Sequence, residues 1–223
     1  MKVAVLRFPG TNCEFDTQYA FEKLGHTTEL VWHENEQLPE EIDLVVVPGG
    51  FSYGDYLRSG SIARFSPVMK AVTAYANAGG KVLGICNGFQ ILTEAGLLPG
   101  ALKRNNNLHF ISKHQNLCVI NNDNAFLNKC DKGEVLNIPI AHADGNYYID
   151  EEGFNKIEAN GQILLRYSDE NGNPVVVNGS VTSIAGVCNE AKNVFGLMPH
   201  PERALEAILG SEDGIRMLQG FEA

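Results

Sequence analysis

The run Gly84-Ile85-Cys86-Asn87-Gly88 sets one thiol between two glycines, after the apolar segment Lys81 to Ile85 and before a helix-forming stretch that closes at Gly96. A nucleophile at the tip of a tight strand-to-helix turn projects where a substrate can reach it. The backbone of such a turn is strained, and glycines two residues to either side let neighbouring chain pass without Cβ clashes. A helix start favours thiolate over thiol. It also leaves the N–H of Asn87 free to face a tetrahedral oxyanion. A buried structural cysteine in a glycine-rich turn is the competing reading; it leaves the strand–elbow–helix context unexplained.

A nucleophilic thiol needs a base, and the base needs an orienting group. Pro199-His200-Pro201-Glu202-Arg203 follows the apolar segment Val194 to Met198 near the C-terminus. The two prolines favour extended geometry, in which residues i and i+2 point the same way. Glu202 is therefore expected to hold one ring nitrogen of His200 while the other faces Cys86. A surface histidine beside a chance glutamate is the alternative. His142 and Asp144 share the i, i+2 spacing without the rigid prolines, which ranks them below, in a substrate-lining or structural role. His26, His33, His109 and His114 stand in polar surroundings and are expected at the surface. No cluster has the spacing of metal ligands. Five cysteines, at 13, 86, 118, 130 and 188, include no C-x-x-C pair. They read as reduced thiols, those other than Cys86 as core or surface residues.

These residues need strands and helices to place them. Short apolar runs at Lys2 to Phe8, Thr27 to Trp32, Asp43 to Val47 and Lys81 to Ile85 read as strands. A helix from an Asn12 cap to Leu24, with Phe15, Tyr19 and Leu24 on one face, and another from Ser66-Pro67 to Gly79-Gly80, separate them. Continuous apolar strands alternating with helices indicate a mostly parallel sheet with helices on both faces. Further strands are expected at Leu117 to Ile120, Val135 to Ile140, Ile163 to Tyr167, Val175 to Val177 and Asn193 to Met198, and a last helix over Asp213 to Phe221. Ligands of such sheets sit beyond the carboxyl ends of the strands, where both Cys86 and the Gly49-Gly50 loop fall. With no repeat or linker, residues 1–223 read as one α/β domain.

Composition narrows the function classes. The chain has 223 residues, 44% hydrophobic and 20% charged, with a formal net charge of −10. An acidic surface repels phosphate backbones, so nucleic acid is not an expected partner. No apolar run approaches a bilayer span, and the N-terminus is too soon interrupted by charge to serve as a signal peptide. A cytoplasmic protein is expected.

Pro48-Gly49-Gly50-Phe51-Ser52-Tyr53-Gly54-Asp55 follows a strand and lacks the spacing of a phosphate loop. It is either a simple turn or a glycine N–H, that of Gly50, aimed into a catalytic cleft as partner to the N–H of Asn87. Gly84-Ile85-Cys86-Asn87-Gly88-Phe89-Gln90 together with Pro199-His200-Pro201-Glu202 resembles the class I glutamine amidotransferases, whose fold is flavodoxin-like. The longer stretches Pro48 to Arg58, Ile62-Ala63-Arg64-Phe65, Ala141-His142 and Met198 to Arg203 resemble the family of glutaminase subunits of phosphoribosylformylglycinamidine synthases, over essentially the whole chain. The resemblance implies hydrolysis of glutamine through a Cys86 thioester, with His200 as base and Glu202 as its orienter. Gly50 and Asn87 would be the oxyanion donors, and Gln90 and His142 would contact substrate. The implied partners are a large synthase subunit, which carries ATP and Mg²⁺ and converts formylglycinamide ribonucleotide to its amidine in purine biosynthesis, and a small accessory subunit. No cofactor is implied on this chain. Ala143-Asp144 departs from the Gly-Glu pair of the family pattern. Two other classes compete: a cysteine peptidase or small-molecule hydrolase of similar fold, and a non-catalytic glutamine-binding module.

Overall fold

The computed structural model describes residues 1–222. Strand β1 (Lys2–Arg7) leads through helix α1 (Glu14–Lys23) to β2 (Thr27–Trp32), and β3 (Leu44–Val47) through α2 (Pro67–Asn77) to β4 (Lys81–Ile85). After β4 comes α3 (Asn87–Glu94), separated from it by Cys86 alone. The second half adds β5 (Ala101–Lys103), β6 (Ile111–Val119), β7 (Val135–His142), β8 (Asn146–Tyr148), α4 (Glu151–Ala159), β9 (Ile163–Ser168), β10 (Ile184–Cys188), β11 (Val194–Leu197) and α5 (Gly214–Gln219).

Nine strands form one sheet in the order β2-β1-β3-β4-β11-β10-β9-β6-β7, and β5 pairs with β8 apart from it. The five strands from β2 to β11 run parallel. From β11 to β7 every pairing is antiparallel. Residues of β3, β4 and β11 are buried in near-continuous runs, as strands covered on both faces must be. Helix α1 packs on β1 and β2, and α3 on β3, β4 and β11. Gly196 lets α3 come this close: a Cβ there would stand 2.2 Å from the ring of Phe89. Since β11 lies beside β4, the chain segments that follow these two strands emerge side by side at one sheet edge.

Four local readings change. Helix α1 is preceded by Cys13, without a side-chain cap, and its inward face is Glu14, Thr17, Ala20 and Phe21. Phe15 and Tyr19 face solvent instead, Phe15 under the guanidinium of Arg7 and Tyr19 hydrogen-bonded to Glu206. Polar Glu14 is buried because Arg7 Nε meets it at 3.0 Å. No strand forms at 175–177, where Val176 is exposed and Pro174 makes only an isolated bridge to Ser168; proline cannot donate to a ladder. His33 is buried, its Nδ1 2.9 Å from the hydroxyl of Tyr53. Strands β5, β8 and β10 and helix α4 are additional elements. No helix among the described residues is long and apolar enough to cross a membrane.

Candidate active site

Cys86 takes φ 51° and ψ −105°, a conformation that costs a non-glycine residue energy and is held by its surroundings. The surroundings are tight. A Cβ on Gly88 would stand 1.8 Å from the carbonyl oxygen of Val47, and one on Gly84 2.6 Å from Leu92. These are the close approaches expected of glycines flanking a nucleophile elbow. The N–H of Cys86 donates to the carbonyl of Leu197 at 2.8 Å, so the elbow is tied directly to the end of β11.

Three residues beyond β11 stands His200, its N–H donating to Pro139 O at 2.8 Å. His200 Nδ1 lies 2.7 Å from Glu202 Oε1, and both side chains are buried. The pairing is made across a 3₁₀ turn, Pro201–Arg203, rather than along extended chain. Pro201 sits at the first position of that turn, where its missing N–H costs nothing. With Nδ1 engaged, His200 Nε2 is buried without a hydrogen-bond partner among the described residues. Burial opposes charge on this ring, but the Glu202 carboxylate, with the thiols of Cys86 and Cys13 adding, holds its pKa well above the ordinary histidine value.

The Gly49-Gly50 loop lies against the segment 10–13. Phe51 N donates to Gly10 O at 2.9 Å, and Asn12 N and Cys13 N reach Gly49 O. Thr11 and Gly50 face each other as an antiparallel pair between these bonds. In such a pair the N–H groups point away from the partner strand, so that of Gly50 is turned from Thr11. Asn87 N–H is at the first position of α3, where no intrahelical acceptor exists. The Asn87 side chain holds the loop to the elbow: its Oδ1 accepts from Ser52 N at 3.1 Å and its Nδ2 donates to Gln90 Oε1 at 2.8 Å.

Gly50, Cys86, Ala141 and His200 line a cavity of about 140 Å³. A narrower recess continues from Gly50 and Cys86 to Asp55, Ser59, Gln90, His142 and Asp144. Gln90 lines this recess, but its amide is committed at both ends, Nε2 donating to Asp144 O at 2.7 Å. His142 also lines it; its Nε2 accepts from Asn178 Nδ2 at 3.0 Å, and burial, then the charge of His200, lowers its pKa to about 4. Both residues thus shape the recess through bonds within the protein. The departure Asp144 is held by Ser59 Oγ at 3.0 Å. Facing it is Asp55, whose pKa is raised to about 6 by burial and by the Asp144 charge.

Cys13 is the site residue that sequence reasoning placed elsewhere. Its Sγ is 3.2 Å from Arg203 Nη2, and it lines the same cavity as Cys86 and His200. Burial pushes its thiol pKa up. Ligating atoms of Cys13, His200 and Glu202 all lie within 4.8 Å of one another, a cluster that spacing along the chain does not disclose. Cys118, Cys130 and Cys188 are buried thiols outside this cavity.

Residues 1–213 match the CobB/CobQ-like glutamine amidotransferase domain family. The chain is 69% identical, over 99% of each chain, to the phosphoribosylformylglycinamidine synthase subunit PurQ of Sulfurimonas denitrificans. It is 65% identical over the same shares to that of Wolinella succinogenes. Among solved structures it superimposes on a chain of PurLQS from Thermotoga maritima with a TM-score of 0.89 and 43% identity, covering 99% of this chain and 97% of that one. A glutamine amidotransferase from the same organism, 16% identical with a TM-score of 0.61 and coverage of 100% and 90%, shares the fold.

Proposed function

This chain belongs to the CobB/CobQ-like glutamine amidotransferase family, and on that footing we propose that Cys86, His200 and Glu202 hydrolyse glutamine for a phosphoribosylformylglycinamidine synthase. The observation that carries the residue assignment is the convergence of a strained cysteine and a carboxylate-held histidine at the ends of two paired strands.

His200 Nε2 takes the thiol proton as Cys86 Sγ adds to the side-chain amide carbon of glutamine. The resulting oxyanion is met by the N–H groups of Gly50 and Asn87. The imidazolium then gives its proton to the leaving nitrogen, the C–N bond breaks, and ammonia departs from a thioester. Water, deprotonated by His200, adds to the thioester; collapse returns Cys86 and releases glutamate. Glu202 holds the ring in one orientation and stabilises its charged form through both halves. The cavity of about 140 Å³ beside the nucleophile is of a size to take one amino-acid side chain, as glutamine hydrolysis requires.

The ammonia serves the ATP-dependent conversion of formylglycinamide ribonucleotide to its amidine, a step of purine biosynthesis. ATP and Mg²⁺ belong in this reading to the large subunit, and the complex to the cytoplasm. Tyr56, Leu57 and Phe65 stand exposed at 75%, 91% and 71% on the loop that carries Gly50. They are the surface we assign to that subunit, because large apolar side chains left exposed close together in the chain mark an interaction surface. Arg58 and Arg64 between them are tied to Glu94; reversing either charge is expected to weaken co-purification.

Covalent capture tests the reading. An electrophilic glutamine analogue is incubated with the chain, with and without the synthase subunit, and the adduct is mapped by mass spectrometry. Labelling at Cys86 that excess glutamine suppresses supports it. A folded, assembled complex with no adduct at Cys86 removes it.

A further inference from the structure

Two carboxylates line the recess that opens from the nucleophile. Gly50, Phe51, Cys86 and Ala141 border both the cavity and the recess, so the two are one continuous space. The recess, bordered by Asp55 and Asp144, holds about 30 Å³, room for a group the size of a water molecule or an ammonium. Donors there are too few for both acids. The hydroxyl of Ser59 stands near both with one proton, and gives it to Asp144 Oδ2 at 3.0 Å. Arg104 adds a contact to Asp144 Oδ1 at 3.7 Å from an exposed position. Asp55 keeps Asn87 Nδ2, at 3.4 Å, and has no ion pair among the described residues. Burial and then the Asp144 charge raise its pKa to about 6.

The second observation is a donor. His142 is 3% exposed and lines the same recess. Its Nε2 accepts from Asn178 Nδ2 at 3.0 Å, which puts the proton of the neutral ring on Nδ1. That N–H is buried without a hydrogen-bond partner among the described residues, a costly state for a donor. The Nε2 edge of the ring is packed on Gly145, where a Cβ would stand 2.4 Å from Nε2, so the Nδ1 edge is turned the other way.

We propose that Asp55 and Asp144 bind the α-ammonium group of glutamine and that His142 Nδ1–H donates to its α-carboxylate, so that this recess selects an amino acid over a simple amide. The inference rests on the glutaminase reading above. An α-amino acid carries both charges on one carbon, and two acceptors beside a donor match that arrangement. An ammonium has three N–H donors, enough to serve both carboxylates at once. With its amide carbon at Cys86 Sγ, glutamine runs its side chain through the shared part of the space and brings its α-carbon to the recess. The ammonium takes the narrow recess. The larger carboxylate stays at its mouth, where the space widens into the cavity of about 140 Å³.

The test compares three substrates in the complex assembled with the synthase subunit: glutamine, 4-carbamoylbutanoate, which lacks the α-amino group, and 4-aminobutanamide, which lacks the α-carboxylate. The wild type is expected to favour glutamine over each by about 100-fold or more in kcat/KM, because a truncated substrate leaves buried charged or polar groups unpaired. Asp55→Asn and Asp144→Asn should each lower kcat/KM for glutamine by about 10–100-fold, mostly through KM, and leave 4-carbamoylbutanoate close to its wild-type value. His142→Gln, whose amide reaches the Nε2 position and leaves no donor at Nδ1, should lower glutamine and spare 4-aminobutanamide. Equal losses on glutamine and on 4-carbamoylbutanoate in the two Asp variants would show a structural effect and overturn the proposal. A wild type that hydrolyses these two substrates alike would overturn it too. Should one Asp variant fail to fold, the other and the wild-type ratio decide. A folded complex that neither hydrolyses glutamine nor takes label at Cys86 removes the glutaminase reading and the subsite with it; glutamine hydrolysis with unchanged selectivity in both Asp variants removes the subsite alone.

Discussion

His200 Nδ1 and Glu202 Oε1 stand 2.7 Å apart across a single proline, with both side chains buried. The contact fixes the ring orientation and stabilises its positive charge. Glu202→Gln keeps the shape and removes the charge. It is expected to lower kcat for glutamine hydrolysis by about 10²–10⁴-fold, with KM little changed. The His200 pKa, followed by NMR, should fall, since the carboxylate is what raises it against burial. A variant with wild-type kcat would show that Glu202 only packs.

Two glycines separate stability from chemistry. A Cβ at Gly88 would meet the Val47 carbonyl at 1.8 Å, a backbone group that cannot swing aside, so Gly88→Ala should destabilise the fold by about 3 kcal/mol or more in denaturant titration. A Cβ at Gly49 meets movable side chains, His200 and Cys13, at 2.9 and 3.1 Å. Gly49→Ala should therefore leave the unfolding midpoint close to wild type while displacing the base. We expect kcat to fall about 10²-fold, the cost of a misplacement near 1 Å.

His142 ties folding to pH. Its folded pKa of about 4 lies below the ordinary 6.5, because burial and then His200 disfavour its charge. Between those values the unfolded chain binds a proton that the folded chain does not, so stability rises with pH through this window and is lost on acidification. The full difference corresponds to about 3 kcal/mol. Urea midpoints measured from pH 7 to pH 4.5 should fall more steeply in wild type than in His142→Gln. Parallel slopes would refute the assignment.

Asp55 carries the opposite sign, its folded pKa of about 6 standing above the ordinary carboxyl value of 3.8. Burial is the larger cause and the Asp144 charge the second. Asp144→Asn should lower the Asp55 pKa without restoring 3.8, measured by carboxyl ¹³C titration. No change would mean that the two charges are screened from each other.

Much of this was legible in the residue order for a physical reason. The elbow and the His200–Glu202 pair are local: each compresses strand, turn and chemistry into a few residues, and backbone geometry does the rest. Helix α2 from Ser66-Pro67 and strand β4 were legible likewise, through proline placement and an unbroken apolar run. Cys13 was not. It sits 187 residues from His200, in a loop with no period of its own, and only the pairing of loop 10–13 with Gly49-Gly50 brings it to the site. Phe15 and Tyr19 misled because large rings suggest a buried face. Here Glu14 and Thr17 go inward, and Arg7 and Glu206 hold the rings outside. Helix α4 carried its capping residue, Asp150, which accepts from Gly153 N at 2.8 Å, but the glycine in its first turn obscured the period.

The pairing of β4 with β11 has a consequence for how the enzyme can fail. Gly84 pairs with Gly196 and Ile85 with Leu197, and the Cys86 N–H closes the row on Leu197. Nucleophile and base are thereby mounted just past the ends of one central hydrogen-bonded ladder, so the backbone that carries them cannot shift apart without opening the middle of the sheet, although the side chains can still move. Amide protons there should exchange with solvent only through near-global unfolding, on the slowest timescale of the molecule. The loop from Phe51 to Ile62 is anchored at Ser52 and Ser59 but exposed at its Tyr56-Leu57 tip, and the amides of that tip should exchange through local opening. Heat would then silence the enzyme in two stages, a reversible loss of the Gly50 loop first and the all-or-none loss of the cysteine–histidine register only with the fold itself.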